Sequence, residues 1–113
     1  MELSIELIKA CKSTALSCRK CVSYISVEEP LHNAYLRSFK QCEDLCFAFL
    51  NAVATNSAYT EKIAFLCIGL CEECTEIAND KKNILFANAA KNFRKLSNLL
   101  YEFLPAKSRR MMM

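Results

Sequence analysis

Cys11, Cys18 and Cys21, then Cys42 and Cys46, then Cys67, Cys71 and Cys74 place eight thiols at steps of three, four and seven residues. Residues at i and i+3 or i+4 on a helix stand about 5 to 6 Å apart at Cβ. Pairs such as Cys42 with Cys46, or Cys67 with Cys71, can therefore converge on one small ion, and each helix supplies a chelating unit. Soft thiolates select Cu(I), zinc or iron–sulfur assemblies over hard cations. A structural zinc site takes four ligands around one ion, often from C-x2-C loops. Here the sulfurs are strung along helical spacings and His32 is the one histidine. The bacterial C-x2-C-x2-C-x3-C-P iron–sulfur run is absent. Several Cu(I) ions sharing bridging thiolates suit this pattern better than one tetrahedral centre, with zinc as the alternative ion.

Isolated thiolates in an apolar interior are costly, so the metal-free chain is expected to hold neutral thiols that pack as small hydrophobes. Each bound Cu(I) would displace protons, which makes binding weaken as pH falls and leaves the apo protein folded. Enzymatic chemistry is not expected. One histidine cannot supply a Ser/His/Asp set, no paired acids lie on an inward face, and a low-pKa catalytic cysteine needs a basic, partly open setting.

The elements that must position these sulfurs follow from composition and period. One domain of 113 residues, 53% of them hydrophobic, can bury a core without disulfide staples. One glycine and two prolines argue for long helices and short connections. Glu2, Glu6, Lys9 and Lys12 interrupt the start as no signal peptide would, and no run reaches the roughly 20 apolar residues of a membrane span. A cytoplasmic location is the expectation, and thiols there are kept reduced. From Asp80 onward, Lys81, Lys82, Lys91, Arg94, Lys95, Lys107, Arg109 and Arg110 face only Asp80 and Glu102. Without a nucleic-acid module or interleaved aromatics, this reads as a solvated basic face, with no nucleic acid and no membrane as partners.

The apolar period draws four helices. The first runs from about Leu3 to Ser26 with Leu7, Cys11, Cys18, Cys21 and Ile25 on its seam and Ile8, Ala15 and Val22 beside it. The second runs from about Leu31 to Ala54, after Pro30, with Tyr35, Phe39, Cys42, Leu45, Cys46, Phe49 and Val53 inward. Thr55, Asn56 and Ser57 make a polar turn and cap. The third runs from about Ala58 to Ala78 with Ala64, Cys67, Leu70, Cys71, Cys74 and Ile77 inward. Asn79 and Asp80 break it and cap its successor, which runs from about Lys81 to Leu104. Phe86, Ala89, Phe93, Leu96, Leu100 and Phe103 give that fourth helix a seam without cysteine, and Pro105 stops it. Similar lengths and short loops predict an all-α, antiparallel up-down-up-down four-helix bundle over residues 1–105. Residues 106–113 form a basic, Met-ending tail, expected to be mobile.

A turn centred between Asn56 and Ser57 sets Cys46 level with Cys67 and Cys42 level with Cys71, in layers roughly 6 Å apart. Cys18 then lies near the level of Cys42, with Cys11 to one side along the axis and Cys21 and Cys74 to the other, a column roughly 15 Å long.

The steps Cys11-x6-Cys18-x2-Cys21, Cys42-x3-Cys46 and Cys67-x3-Cys71-x2-Cys74 resemble those of the copper storage proteins, a cysteine-rich four-helix-bundle copper-binding family. The resemblance implies reversible storage or buffering of many Cu(I) ions inside the bundle, usually in homo-oligomers. Where many relatives place further cysteines, this chain has Phe86, Ala90, Phe93 and Ser97, which implies reduced capacity.

Read as a Cu(I) buffer, the protein would take metal from a small-thiol complex or a chaperone. The alternative is a thiol-redox or zinc-linked regulatory module, in which facing cysteines such as Cys42 and Cys71 form a bridge. His32 at a helix start, and Met1 with Met111, Met112 and Met113, could act as accessory ligands, although a solvated histidine and a loose tail are the plainer readings. Gly69, between Cys67 and Cys71, suggests close approach of a neighbour or room for a cluster. Tyr24, Tyr35, Tyr59 and Tyr101 are expected at the core margin.

Overall fold

The computed structural model describes residues 3–28 and 33–110. Its elements are α1 (Ile5–Glu28), α2 (Asn33–Ala54), α3 (Thr60–Asn79), α4 (Ile84–Phe103) and a short α5 (Ala106–Arg110). Each boundary has a local cause. The Ser4 hydroxyl accepts a hydrogen bond from the Leu7 amide at 3.1 Å, satisfying an otherwise orphaned donor at the start of α1. Helix α2 ends in a Schellman turn. Asn56 takes a left-handed φ of 54°, its amide donates to Val53 O, and the Ser57 amide reaches back to Ala52 O at 2.8 Å. The next helix starts two residues later than Ala58, because the amides of Tyr59 and Thr60 are taken up by Ser57 through its hydroxyl and carbonyl.

The cap of α4 differs from the sequence reading. Asn83, and neither Asn79 nor Asp80, accepts from the Leu85 amide at 2.8 Å, so residues 80–83 are a connection and the helix opens at Ile84. Leu104 is extended, as the residue before a proline prefers. Beyond Pro105 the chain turns into α5, where the tail reading had no helix. There the Arg109 guanidinium lies 5.7 Å from the Tyr101 ring centroid and the Ser108 hydroxyl donates to Glu61.

The four long helices form a ring in which each packs on two neighbours, α1 on α2, α2 on α3, α3 on α4 and α4 on α1. Pairings along these contacts give their directions. Tyr24 meets Phe86 while Thr14 and Ser17 meet Asn92, so α1 and α4 run oppositely. Ser38 faces Cys74 while Cys42 faces Cys71 and Cys46 faces Cys67, so α2 and α3 also run oppositely. Across the ring, Phe39 meets Phe86 and Phe93 while Phe49 meets Phe103, so α2 and α4 are parallel. The bundle is antiparallel and up-down-up-down.

The core follows the expected seams with small displacements. Leu7, Cys11, Cys18, Cys21, Ile25, Phe39, Phe49, Ala64, Phe86, Ala89, Phe93, Leu96 and Leu100 are buried. Tyr35, Leu45, Val53, Leu70, Ile77 and Phe103 are only half-buried and pack against the core's edge, where a helix's apolar stripe meets its neighbour. Ala52, Ile68, Ala78 and Ala90 are buried in addition. Thr14 is fully buried although polar. Its hydroxyl donates to the Asn92 carbonyl at 3.3 Å, which meets the requirement that a buried polar group be bonded.

Two side-group readings are corrected. Tyr59 is 63% exposed, unlike Tyr24, Tyr35 and Tyr101, because it precedes α3 and points away from the seam. Gly69 is exposed, and a Cβ there would meet nothing within 4 Å. Within the chain it neither admits a close neighbour nor makes room for the sulfurs. His32, Met1 and Met111 to Met113 lie outside the described residues.

Candidate metal centre

All eight cysteines are fully buried and carry free thiols. The sequence period delivers them: on α1, α2 and α3 the cysteines occupy the innermost positions, with Ala10, Ala15, Ala64 and Ala78 as small neighbours. Small side chains beside the sulfurs let the three backbones draw close enough for thiols on different helices to touch.

Cys42 is the hub. Its sulfur lies in hydrogen-bonding contact with the thiols of Cys18 on α1, Cys46 on its own helix, and Cys71 and Cys74 on α3. The Cys67 sulfur is likewise in contact with those of Cys46 and Cys71, so these two thiols lie between Cys42 and Cys67. The Cys74 thiol also stands 3.5 Å from the Ser38 carbonyl. At the two ends, Cys11 lies near Cys67 and Cys42, and Cys21 lies near Cys18 and Cys74. The structure thus brings all eight sequence-predicted residues into one continuous column, with Cys46 level with Cys67 and Cys42 with Cys71 and Cys18.

The electrostatics of the column are uneven. Hydrogen bonds donated to Cys42 from four sides push its pKa down, and those donated to Cys67 by Cys46 and Cys71 do the same there. The donors shift in the opposite sense. Cys18 and Cys74 are raised first by their bonds to Cys42 and then by burial, and Cys46 and Cys71 by their bonds to Cys42, then to Cys67, then by burial. Cys11 and Cys21 are pushed up from the ordinary 9 to about 12, chiefly by burial. Neighbouring thiols thus take the place of water around the Cys42 and Cys67 sulfurs.

Among the described residues, no three His, Cys, Asp or Glu side chains are gathered as a ready-made site for a single ion. What the column offers is a run of paired sulfurs. Its fourth side is aromatic. Phe39 stacks on Phe93 with centroids 6.0 Å apart and a 24° tilt, and Phe86 lies 6.1 Å from Phe39. The α4 positions that stand in place of further cysteines agree with this, since Phe86, Ala90 and Phe93 are buried and Ser97 is half-buried. Sequence reasoning missed Thr14, which interrupts the α1 series between Cys11 and Cys18. Its spacing of three from Cys11 and four from Cys18 was the available signal.

No described helix is long and apolar enough to cross a membrane. No solved structure matches the chain. Among curated proteins, the chain is similar to the uncharacterized cysteine-rich protein YhjQ of Bacillus subtilis (strain 168), 29% identical over 69 residues. That match covers 59% of this chain and 64%, less than two thirds, of the relative. The copper storage protein family model matches residues 2–102, a span that contains all four bundle helices and every cysteine but for the last residue of α4. The chain belongs to the copper storage protein family.

Proposed function

We propose that this protein is a non-enzymatic Cu(I) store or buffer that holds several Cu(I) ions on thiolates of Cys11, Cys18, Cys21, Cys42, Cys46, Cys67, Cys71 and Cys74. The observation that carries this reading is the convergence of eight buried thiols from three helices on one column, joined through Cys42. Soft, monovalent Cu(I) suits it on two grounds. Thiolate is the preferred ligand of such an ion, and each Cu(I) cancels one thiolate charge in an interior that cannot solvate charge. Family membership supports copper as the cargo. Loading starts around Cys42, where four other thiols converge, and extends toward Cys11 and Cys21 as protons leave.

In this reading the protein works in the cytoplasm, where thiols stay reduced, and takes copper from a small-thiol complex or a chaperone. The aromatic wall of α4 keeps water from one side of the column and limits its capacity. The test is a titration of the reduced protein with Cu(I) against a competing chelator. Binding of more than about three ions per chain, weakening as pH falls, is the expected result. One tight zinc ion with negligible copper uptake, or a reversible Cys42–Cys71 disulfide under mild oxidant, would instead place the protein among zinc-linked or thiol-redox regulators.

A further inference from the structure

Beside the stretch of α3 that carries Cys71 and Cys74, the surface between α3 and α4 opens into a polar groove that the metal column does not use. Glu72, Thr75 and Glu76 of α3 and Arg94, Ser97 and Asn98 of α4 line a volume of about 350 Å³. Both trios follow the same three- and four-residue steps, which keep side chains on one helix face. Two carboxylates and one guanidinium thus line one groove from opposite walls. Yet among the described residues none of Glu72, Glu76 and Arg94 makes an ion pair, and all three are exposed. Thr75 and Ser97 are half-buried. The Thr75 hydroxyl donates to the Cys71 carbonyl at 2.7 Å, which uses its proton within the helix and leaves its oxygen free to accept.

We propose that this groove binds the zwitterionic head of an α-amino acid, with its carboxylate on the Arg94 guanidinium and its ammonium between Glu72 and Glu76. A guanidinium presents a planar fork that matches a carboxylate. An ammonium has three donors, which two carboxylates and the Thr75 oxygen can accept, while Ser97 and Asn98 supply donors for the bound carboxylate. Charge excludes the simpler classes. An inorganic anion such as phosphate would gain Arg94 and be repelled by two carboxylates, and a polyamine would gain the carboxylates and be repelled by the guanidinium. A divalent cation finds no three gathered ligands among the described residues. Size agrees, since the volume lies at the lower end of the range for ligand pockets. Two sources carry such a head, a free amino acid and a small aminothiol that carries Cu(I). The second rests on the Cu(I) reading above, and it would hold the donor against the segment of α3 whose inner face presents Cys71 and Cys74.

The test is an NMR titration of the reduced, metal-free full chain with L-serine, ethanolamine and 3-hydroxypropanoate, the last two lacking the carboxylate and the ammonium respectively. For L-serine, saturable shifts confined to the amides of residues 72–76 and 94–98 are expected, with a dissociation constant on the order of 1 mM. Each analogue should bind at least about tenfold more weakly, because it leaves one charged side of the groove unpaired. Arg94→Gln should erase the preference for L-serine over ethanolamine, and Glu72→Gln with Glu76→Gln the preference over 3-hydroxypropanoate. Circular dichroism checks that the variants keep their helices. Copper separates the two sources. Sub-saturating Cu(I) presented as its L-cysteine complex should load Arg94→Gln about tenfold more slowly than the native chain, in proportion to the lost affinity, with final capacity unchanged. Equal rates assign the groove to free amino acids. A column that takes up no copper leaves the L-serine shifts in place, so the two readings fail separately. A native chain without saturable shifts overturns the inference. So do shifts centred elsewhere, analogues that bind as well as L-serine, and variants that keep both preferences.

Discussion

The three cysteine helices and the fourth helix line one core with opposite chemistry, and the contrast separates what binds from what holds. On α1, α2 and α3 the innermost positions carry sulfur, a small group that packs like a hydrophobe when protonated and becomes a ligand when it is not. On α4 they carry Phe86, Phe93, Leu96 and Leu100, which can only pack. Aromatic rings bury far more area than a thiol and gain further from offset and edge contacts. Stability is therefore concentrated on the α4 side, through Phe39, Phe86, Phe93 and the edge contact of Tyr24 on Phe86 at 5.5 Å. The sulfur side carries the groups that can exchange protons for metal ions.

If that division is right, Phe93→Ala should cost the apo protein about 3 to 5 kcal/mol, the usual loss for emptying a buried phenylalanine site, measured by urea unfolding. Cys42→Ala should cost much less stability, yet lower Cu(I) capacity by more than one ion, because four other thiols hydrogen-bond to that sulfur. Cys21→Ala, which removes an end of the column, should lower capacity by one ion or less. Equal losses at Cys42 and Cys21 in the chelator titration would dissolve the idea of a hub.

The pH dependence sharpens the same contrast. For Cys11 and Cys21 the folded-state pKa of about 12 lies above the ordinary 9, so the native state holds these protons more tightly than the unfolded chain. Their contribution is fully present below about pH 9 and is lost as pH rises toward 12. Apo stability followed by urea midpoints should decline across that window, and Cys11→Ala with Cys21→Ala should flatten the decline. Smaller still, Asn83→Ala should cost about 1 kcal/mol by removing the cap of the packing helix. Smallest is Arg19→Ala. Its ion pair with Glu43 joins α1 to α2 at the surface, where such pairs are worth at most about 1 kcal/mol.

Much of this was legible in the residues. The apolar period fixed the seams because burying one face of each helix is what chiefly drives a bundle together. The same period carried the cysteines inward, since a residue at a seam position has nowhere else to point. Levels along the axis could be read from the turn at Asn56 and Ser57 because rise per residue is constant. Helix ends were less legible. Asn79, Asp80 and Asn83 are all acceptable caps by type, and the choice of Asn83 depends on where Phe86 must sit against Tyr24 and Phe39. Gly69 was misread because cysteines stand two residues to either side of it, whereas two residues along a helix bring the chain to the opposite side of its circumference.

By itself the chain of residues determined that four amphipathic helices form and that eight thiols share their buried faces, because periodicity and hydrophobic burial act locally and need no knowledge of the partner. Only the tertiary structure decided which sulfurs meet. Cys42 became the meeting point for thiols on three helices, and Cys11 and Cys21 became the ends, through the relative heights and rotations of packed helices. Those are set by side-chain volumes across the core, such as Phe39 against Phe93, and no spacing along one helix encodes them.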